Sequence, residues 1–196
     1  MRHAGIVLAA GASSRMGAPK ATLRNPQGRT LADLQIALLM ACGIENPVLV
    51  LGSEAEAIQA DVRHQRIAVN PDWTKGRVSS AQTGLRALNE VDGCFILPVD
   101  TAGISPDTVR AMSADLQRQS AIALRPCYRN QPGHLVWISH GLAANLLKVR
   151  NPTETIKLRD YIEPFERRLA VDDPNILNNI NTPEAWDDIR SELHHF

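Results

Sequence analysis

The feature of this 196-residue sequence that most limits its fold is an alternation of short apolar runs with stretches of helical spacing. Ala4–Ala10 (AGIVLAA) ends at Gly11, and Pro47–Leu51 (PVLVL), Arg66–Val69, Gly93–Val99 (GCFILPV), Ala121–Leu124 and Arg168–Val171 are further runs of strand length. Leu31–Cys42, stopped at Gly43, and Ser79–Glu90 read as helices, as do Gly141–Val149 and Thr155–Tyr161. Ser53 and Glu56 form a capping-box pattern. Ser105-Pro106-Asp107 and Thr182-Pro183-Glu184 each join an N-cap, a proline at the first helical position and an acid near the positive end of the dipole. Residues 125–140 read as a turn with short strands. Strands that alternate with helices need crossover connections, so the expected fold is α/β, a mostly parallel sheet with helices on both faces, in one domain over residues 1–196. In such sheets ligands gather beyond the carboxyl ends of the strands. Two segments fall there: the loop after the first run, and Asp100.

Charge narrows the possible partners. Lys plus Arg number 21, as do Asp plus Glu, so the formal net charge is zero. A neutral chain lacks the overall field of a nucleic-acid binder, and any phosphate site must be local. Cys42, Cys94 and Cys127 are far apart and odd in number, which suits free thiols in a reducing compartment better than disulfides or zinc. Met1-Arg2-His3 runs straight into a strand-like segment without a signal-peptide pattern, and no stretch has the length of a membrane span. A cytoplasmic protein that binds neither nucleic acid nor membrane is expected.

Leu8-Ala9-Ala10-Gly11-Ala12-Ser13-Ser14-Arg15-Met16-Gly17-Ala18-Pro19-Lys20 is the segment richest in chemistry. Small residues let a backbone approach a ligand, Gly11 and Gly17 open conformations closed to other residues, and such a loop can aim N–H groups at phosphate oxygens. Arg15 offers a forked contact to phosphate and Lys20 a point charge. The glycine spacing fits neither a Walker loop nor the dinucleotide pattern, which disfavours an NAD-dependent oxidoreductase. The plainest alternative is an ordinary strand-to-helix loop with two surface charges.

Leu8–Lys20 resembles the signature L-A-A-G-x-S-x-R-M-G-x-x-K of the MobA-like nucleotidyltransferase family, which includes the molybdenum cofactor cytidylyl- and guanylyltransferases. The likeness continues through Asn70-Pro71-Asp72-Trp73, Gly76 and Ser79-Ser80 (N-P-x-W-x-x-G-x-x-x-S), Leu97–Asp100, Gly133-His134, and Asn179-Ile180-Asn181-Thr182-Pro183-Glu184. It implies a Rossmann-like three-layer αβα sandwich. It also implies an enzyme that transfers a nucleoside monophosphate from an NTP to a phosphorylated acceptor and releases pyrophosphate. The nucleotide would lie along Leu8, Ala9, Ala10 and Gly11, with its base near Ser79 and Ser80. Arg15 and Lys20 would hold the triphosphate, and Mg²⁺ would sit on Asp100 and on Asn181 or, as the other candidate, Asn179. Ala10, where the guanylyl branch usually has glycine, and the absence of a G-P-L-A-G segment at Gly76–Ser80 point to CTP. The acceptor implied is molybdopterin, with a molybdoenzyme receiving the product. The alternatives are another acceptor (a sugar phosphate, phosphocholine or similar) and a non-catalytic cofactor-binding or chaperone module of the same fold. Thr101-Ala102-Gly103 departs from the family's Gln-Pro or Met-Pro, which puts the acceptor-side contacts in question.

Other residues carry weaker signals. His134 reads as a hydrogen-bonded structural histidine before a chemical one. Trp73 suits ring stacking or packing. Arg125, Arg129 and Arg150 could reach an anionic acceptor but are solvated arginines by default, and His194 and His195 read as surface residues at the chain end.

Overall fold

Side chains along each strand sort the core into two faces. In the computed structural model, which describes residues 1–150, 152 and 157–193, Val7, Leu49, Leu51, Phe95, Leu97 and Trp137 point to one side of the sheet. Their neighbours Ile6, Leu8, Val48, Val50, Ile96 and Val136 point to the other. This two-residue period requires apolar cover on both faces, and helices supply it. The elements in chain order are β1 (His3–Ala9), α1 (Leu31–Ala41), β2 (Val48–Leu51), α2 (Ala55–Asp61), β3 (Ile67–Val69), α3 (Arg77–Arg86), β4 (Gly93–Pro98), α4 (Pro106–Arg118), β5 (Ala123–Tyr128), β6 (Gln131–Pro132), β7 (Val136–Ser139), α5 (His140–Leu147), α6 (Leu158–Ile162), β8 (Glu166–Ala170) and α7 (Pro183–Arg190). Residues of α1, α4 and α7 close one face, and residues of α3, α5 and α6 the other. The fold is therefore the expected three-layer αβα sandwich.

The sheet runs β3-β2-β1-β4-β7-β5-β6, with β8 alongside β5. The pairs β1–β2, β1–β4, β2–β3 and β5–β8 are parallel. Between β4 and β5 lies β7, antiparallel to both. The region expected as a turn with short strands is one, with β7 inside the sheet and β6 at the end of the strand order. β5 continues to Tyr128, turns over Arg129 and Asn130 at φ 46 and φ 65, and returns through β6. Two left-handed residues in succession are the geometry of a tight hairpin turn.

Two local expectations differ from the structure. Ser53 does not cap α2: its N–H donates to the carbonyl of Ala10, and Glu54, left-handed at φ 55, precedes the helix without a side-chain cap. α3 spans Arg77–Arg86 rather than Ser79–Glu90: Gly76 at φ 91 turns the chain into the helix two residues early, and Ala87 caps its other end. Ser105 and Thr182 do cap α4 and α7. The expected helix Thr155–Tyr161 lies partly outside the described residues, and His194 and His195 lie wholly outside them. Cys94 is buried, and burial pushes its thiol up to about 12. No helix among the described residues is long and apolar enough to cross a membrane.

At the start of β1, Trp137 Nε1 donates to His3 Nδ1 at 3.1 Å, which requires a neutral imidazole with its proton on Nε2. Burial is the main cause holding the His3 pKa below its usual 6.5. As pH falls below about 6.5 the unfolded chain takes up this proton before the folded one does, so stability declines until the folded-state pKa is reached. Urea midpoints compared between pH 7.5 and pH 5 should fall more steeply for the wild type than for His3→Gln, whose side chain still accepts from Trp137 but does not titrate.

Candidate active site

Three strand ends meet where the connectivity of the sheet reverses. β1 has β2 on one flank and β4 on the other, so the loops leaving β1 and β4 diverge and open a crevice. A cavity of about 270 Å³ lies there, walled by Leu8–Gly11, the rest of the β1 loop, Pro98–Asp100 and the start of α3.

The loop is held by a serine. Ser13 is left-handed at φ 51; its carbonyl accepts from the N–H of Met16 at 2.8 Å and its hydroxyl from the N–H of Lys20 at 3.1 Å. Gly17 is also left-handed, at φ 68, as its residue type suggested. Gly11 is not, and a Cβ built on it meets nothing within 4 Å. Its lack of a side chain leaves room in the cavity rather than permitting a special backbone.

Lys20 then reaches across the crevice. Its Nζ donates to Asp100 Oδ2 at 2.9 Å and to Asn181 Oδ1 at 2.6 Å. The Lys20 and Asp100 side chains are 13% and 12% exposed, so bulk solvent screens the contact weakly. Asp100 stands two residues past the end of β4, and its backbone carbonyl accepts from the N–H of Ile180 at 2.9 Å, which brings the neighbouring Asn181 to the cavity. Asn179 is exposed and does not line the cavity; only its carbonyl engages Asn181 Nδ2, at 3.3 Å.

A carboxylate oxygen and an amide oxygen that converge on one ammonium form a hard donor set, the kind a small divalent cation takes. No group of three or more His, Cys, Asp or Glu suited to a metal occurs among the described residues. A cation held here would draw its other ligands from phosphate oxygens and water, as magnesium commonly does.

The departure after Asp100 lies beneath the site. Thr101 and Ala102 are buried, and none of Thr101, Ala102 and Gly103 lines this cavity or the larger one beside it. Gln35 Nε2 donates to the carbonyls of Val99 and Thr101 at 3.1 and 2.7 Å, fixing the turn from below.

The paired serines separate in role. Asn70 Nδ2 donates to Ser79 Oγ at 2.9 Å and to Ser80 Oγ at 3.0 Å, while Asn70 Oδ1 accepts from the N–H of Asp72. Ser79 Oγ donates to the carbonyls of Asp72 and Gly76 and lies outside the cavity lining. Ser80 lines the cavity, accepts from Asn70 and keeps its own hydroxyl proton available. Trp73 is half-buried in the wall, where a Cβ on Gly52 would lie 2.5 Å from Trp73 Cβ and 2.6 Å from the Ala10 carbonyl. Glycine at position 52 is what lets Trp73 and Ala10 close on each other. Arg15 is exposed at the rim.

Arg77, which the sequence does not single out, also lines the cavity; its guanidinium lies 3.9 Å from Asp100 Oδ2. Beyond it is a second cavity of about 650 Å³. There Arg125 is not solvated: it pairs with Glu166 at 2.5 Å and donates to the Gly133 carbonyl at 2.9 Å, with its side chain 8% exposed. His134 is half-buried at this cavity, and burial, the largest influence on it, lowers its pKa. Arg129 stacks over Tyr128 on the hairpin, and Arg150 is exposed and lines neither cavity.

Comparison with known proteins agrees with this fold. Residues 5–168 match the family model described as MobA-like NTP transferase domain. The chain is 36% identical over 107 residues to nicotine blue oxidoreductase of Paenarthrobacter nicotinovorans, a match covering 54% of this chain and 52% of that protein, so it spans about half the length of this relative. It is 27% identical over 186 residues to the molybdenum cofactor cytidylyltransferase of Escherichia coli K12, covering 92% of each. Among solved structures, Rv0371c of Mycobacterium tuberculosis superposes with a TM-score of 0.81 at 22% identity, covering 96% of this chain and 97% of that one. Its complex with manganese gives 0.75 at 20% identity, covering 96% and 98%. At these identities the structural likeness establishes the fold.

Asn70 is the hub of the α3 entry. Asn70→Ala strands the partners of three buried or half-buried hydrogen bonds, and urea denaturation should show a loss of about 1–3 kcal/mol.

Proposed function

The chain belongs to the MobA-like NTP transferase family, and from that premise we propose that it is a cytoplasmic, single-domain, metal-dependent cytidylyltransferase acting on a phosphorylated acceptor. The observation that carries this reading is the convergence of Lys20, Asp100 and Asn181 beside the β1 loop at the switch point of the sheet. The nucleotide would lie along Leu8–Gly11, with Ser80 offering its hydroxyl to the base or ribose. Ala10, pressed under Gly52 and Trp73, would narrow the base side in favour of a pyrimidine. The near full-length match to the E. coli cytidylyltransferase supports CTP as donor and molybdopterin as acceptor.

In the transfer, an acceptor phosphate oxygen bonds to the α-phosphorus of the NTP as the bond to the β-phosphate bridging oxygen breaks. Pyrophosphate departs with that electron pair. A phosphate nucleophile is already ionised near neutral pH, so no general base is needed. Asp100 and Asn181 would hold a Mg²⁺ ion, which would neutralise phosphate charge; the manganese complex of Rv0371c supports a divalent ion in this fold. Lys20 would exchange its two oxygens for the triphosphate, and Arg15 would close over the phosphates from the rim. Catalysis would rest on positioning and charge neutralisation.

The oxidoreductase relative makes redox chemistry the reading to test against. Calorimetry with CTP, GTP, ATP, UTP and NADH, with and without Mg²⁺, should show magnesium-dependent preference for CTP. Preference for another NTP would change the donor, and NADH binding without NTP binding would remove the transferase reading. Lys20→Ala and Asp100→Ala should each lower pyrophosphate release by about a hundredfold or more while circular dichroism shows the fold retained. Full activity in either variant would take that residue out of the mechanism.

A further inference from the structure

Four residues line both cavities: Leu8, Gly76, Arg77 and Pro98. Leu8 and Pro98 are register partners on β1 and β4, and Gly76 is the left-handed residue before α3. Arg77 is the one charged group at this seam. Its side chain is 59% exposed, and its one ion pair among the described residues is the 3.9 Å approach to Asp100, too long for a hydrogen bond. The other arginines at the second cavity are committed elsewhere: Arg125 to Glu166 and the Gly133 carbonyl, Arg159 to Glu163.

The second cavity is shaped for an organic body. Ile96, Val136, Leu158 and Ile162 contribute to its wall, and its anions Glu163 and Glu166 are both ion-paired. A dianionic phosphate that enters through this cavity must come up against the phosphates already in the first. The repulsion is greatest at the seam, where the forked donor of Arg77 stands.

We propose that Arg77 is the acceptor-binding residue of this site: it grips the phosphate of a phosphomonoester whose apolar body fills the second cavity, and so presents a phosphate oxygen to the first. This rests on the transferase reading above. What it adds to that reading is the residue that holds the acceptor phosphate.

The test uses the full chain with phenyl phosphate as probe, titrated in ³¹P and ¹H ligand-observed NMR, and CTP with Mg²⁺ followed by calorimetry. Wild type should bind phenyl phosphate more tightly than inorganic phosphate, which has no body to cover the apolar wall. Arg77→Gln should weaken phenyl phosphate by about tenfold, as loss of a charge-assisted forked contact would, and leave CTP affinity within about threefold. Arg77→Lys, which keeps the charge and loses the fork, should fall between. The exposure of Arg77 means that none of these variants should shift the melting temperature. The proposal is overturned if wild type does not bind phenyl phosphate, if Arg77→Gln binds it unchanged, or if Arg77→Gln loses CTP instead, which would assign the guanidinium to the triphosphate. Failure of wild type to bind any NTP would be a failure of the transferase reading, and the CTP arm separates that case from the others.

Discussion

One ammonium group stands between the two oxygens that define this site. Lys20 Nζ holds Asp100 and Asn181 together, and each of the three arrives on a different part of the chain: the loop after β1, the end of β4, and the segment before α7. A positive charge shared by two oxygens draws both toward it. Were those oxygens to hold a divalent ion, as proposed above, the ammonium would need a new partner, and a triphosphate would suit it. The loop geometry serves this one contact: Ser13 accepts a left-handed backbone and in return fixes the N–H of Lys20.

Much of this was legible in the sequence. The alternation of apolar runs with helical segments gave a layered α/β fold, because runs buried on both faces need cover on both faces. The same alternation put the β1 loop and Asp100 at one edge of the sheet. The proline-bearing caps Ser105 and Thr182 are local motifs that no tertiary contact overrides. The pattern of small residues from Leu8 to Lys20 marked the loop, though composition could not say that Ser13 rather than Gly11 bends the backbone there.

What escaped depends on contacts between distant residues. β7 falls within the stretch read as a turn with short strands, and nothing local reveals that it lies antiparallel between β4 and β5. Ser53 does not cap because the chain, tied to the Ala10 carbonyl through the Ser53 N–H, puts the left-handed Glu54 at the N-cap position instead. Ser79 and Ser80 are the same residue type side by side, yet helical rotation sends one hydroxyl to backbone carbonyls and the other to the cavity. Arg125 is buried by Glu166, a partner 41 positions away. Arg77 becomes noticeable only when two cavities are seen to share a wall.

The contact between Lys20 and Asn181 joins positions 161 residues apart. The family match itself ends at residue 168, before the asparagine is reached. A chain emerging from the ribosome would carry the loop, the lysine and Asp100 long before it carried the second oxygen. During synthesis the lysine would have only the aspartate to hold. The asparagine would join last, so that an unfinished chain would hold the Lys20–Asp100 pair without the third member of the cluster.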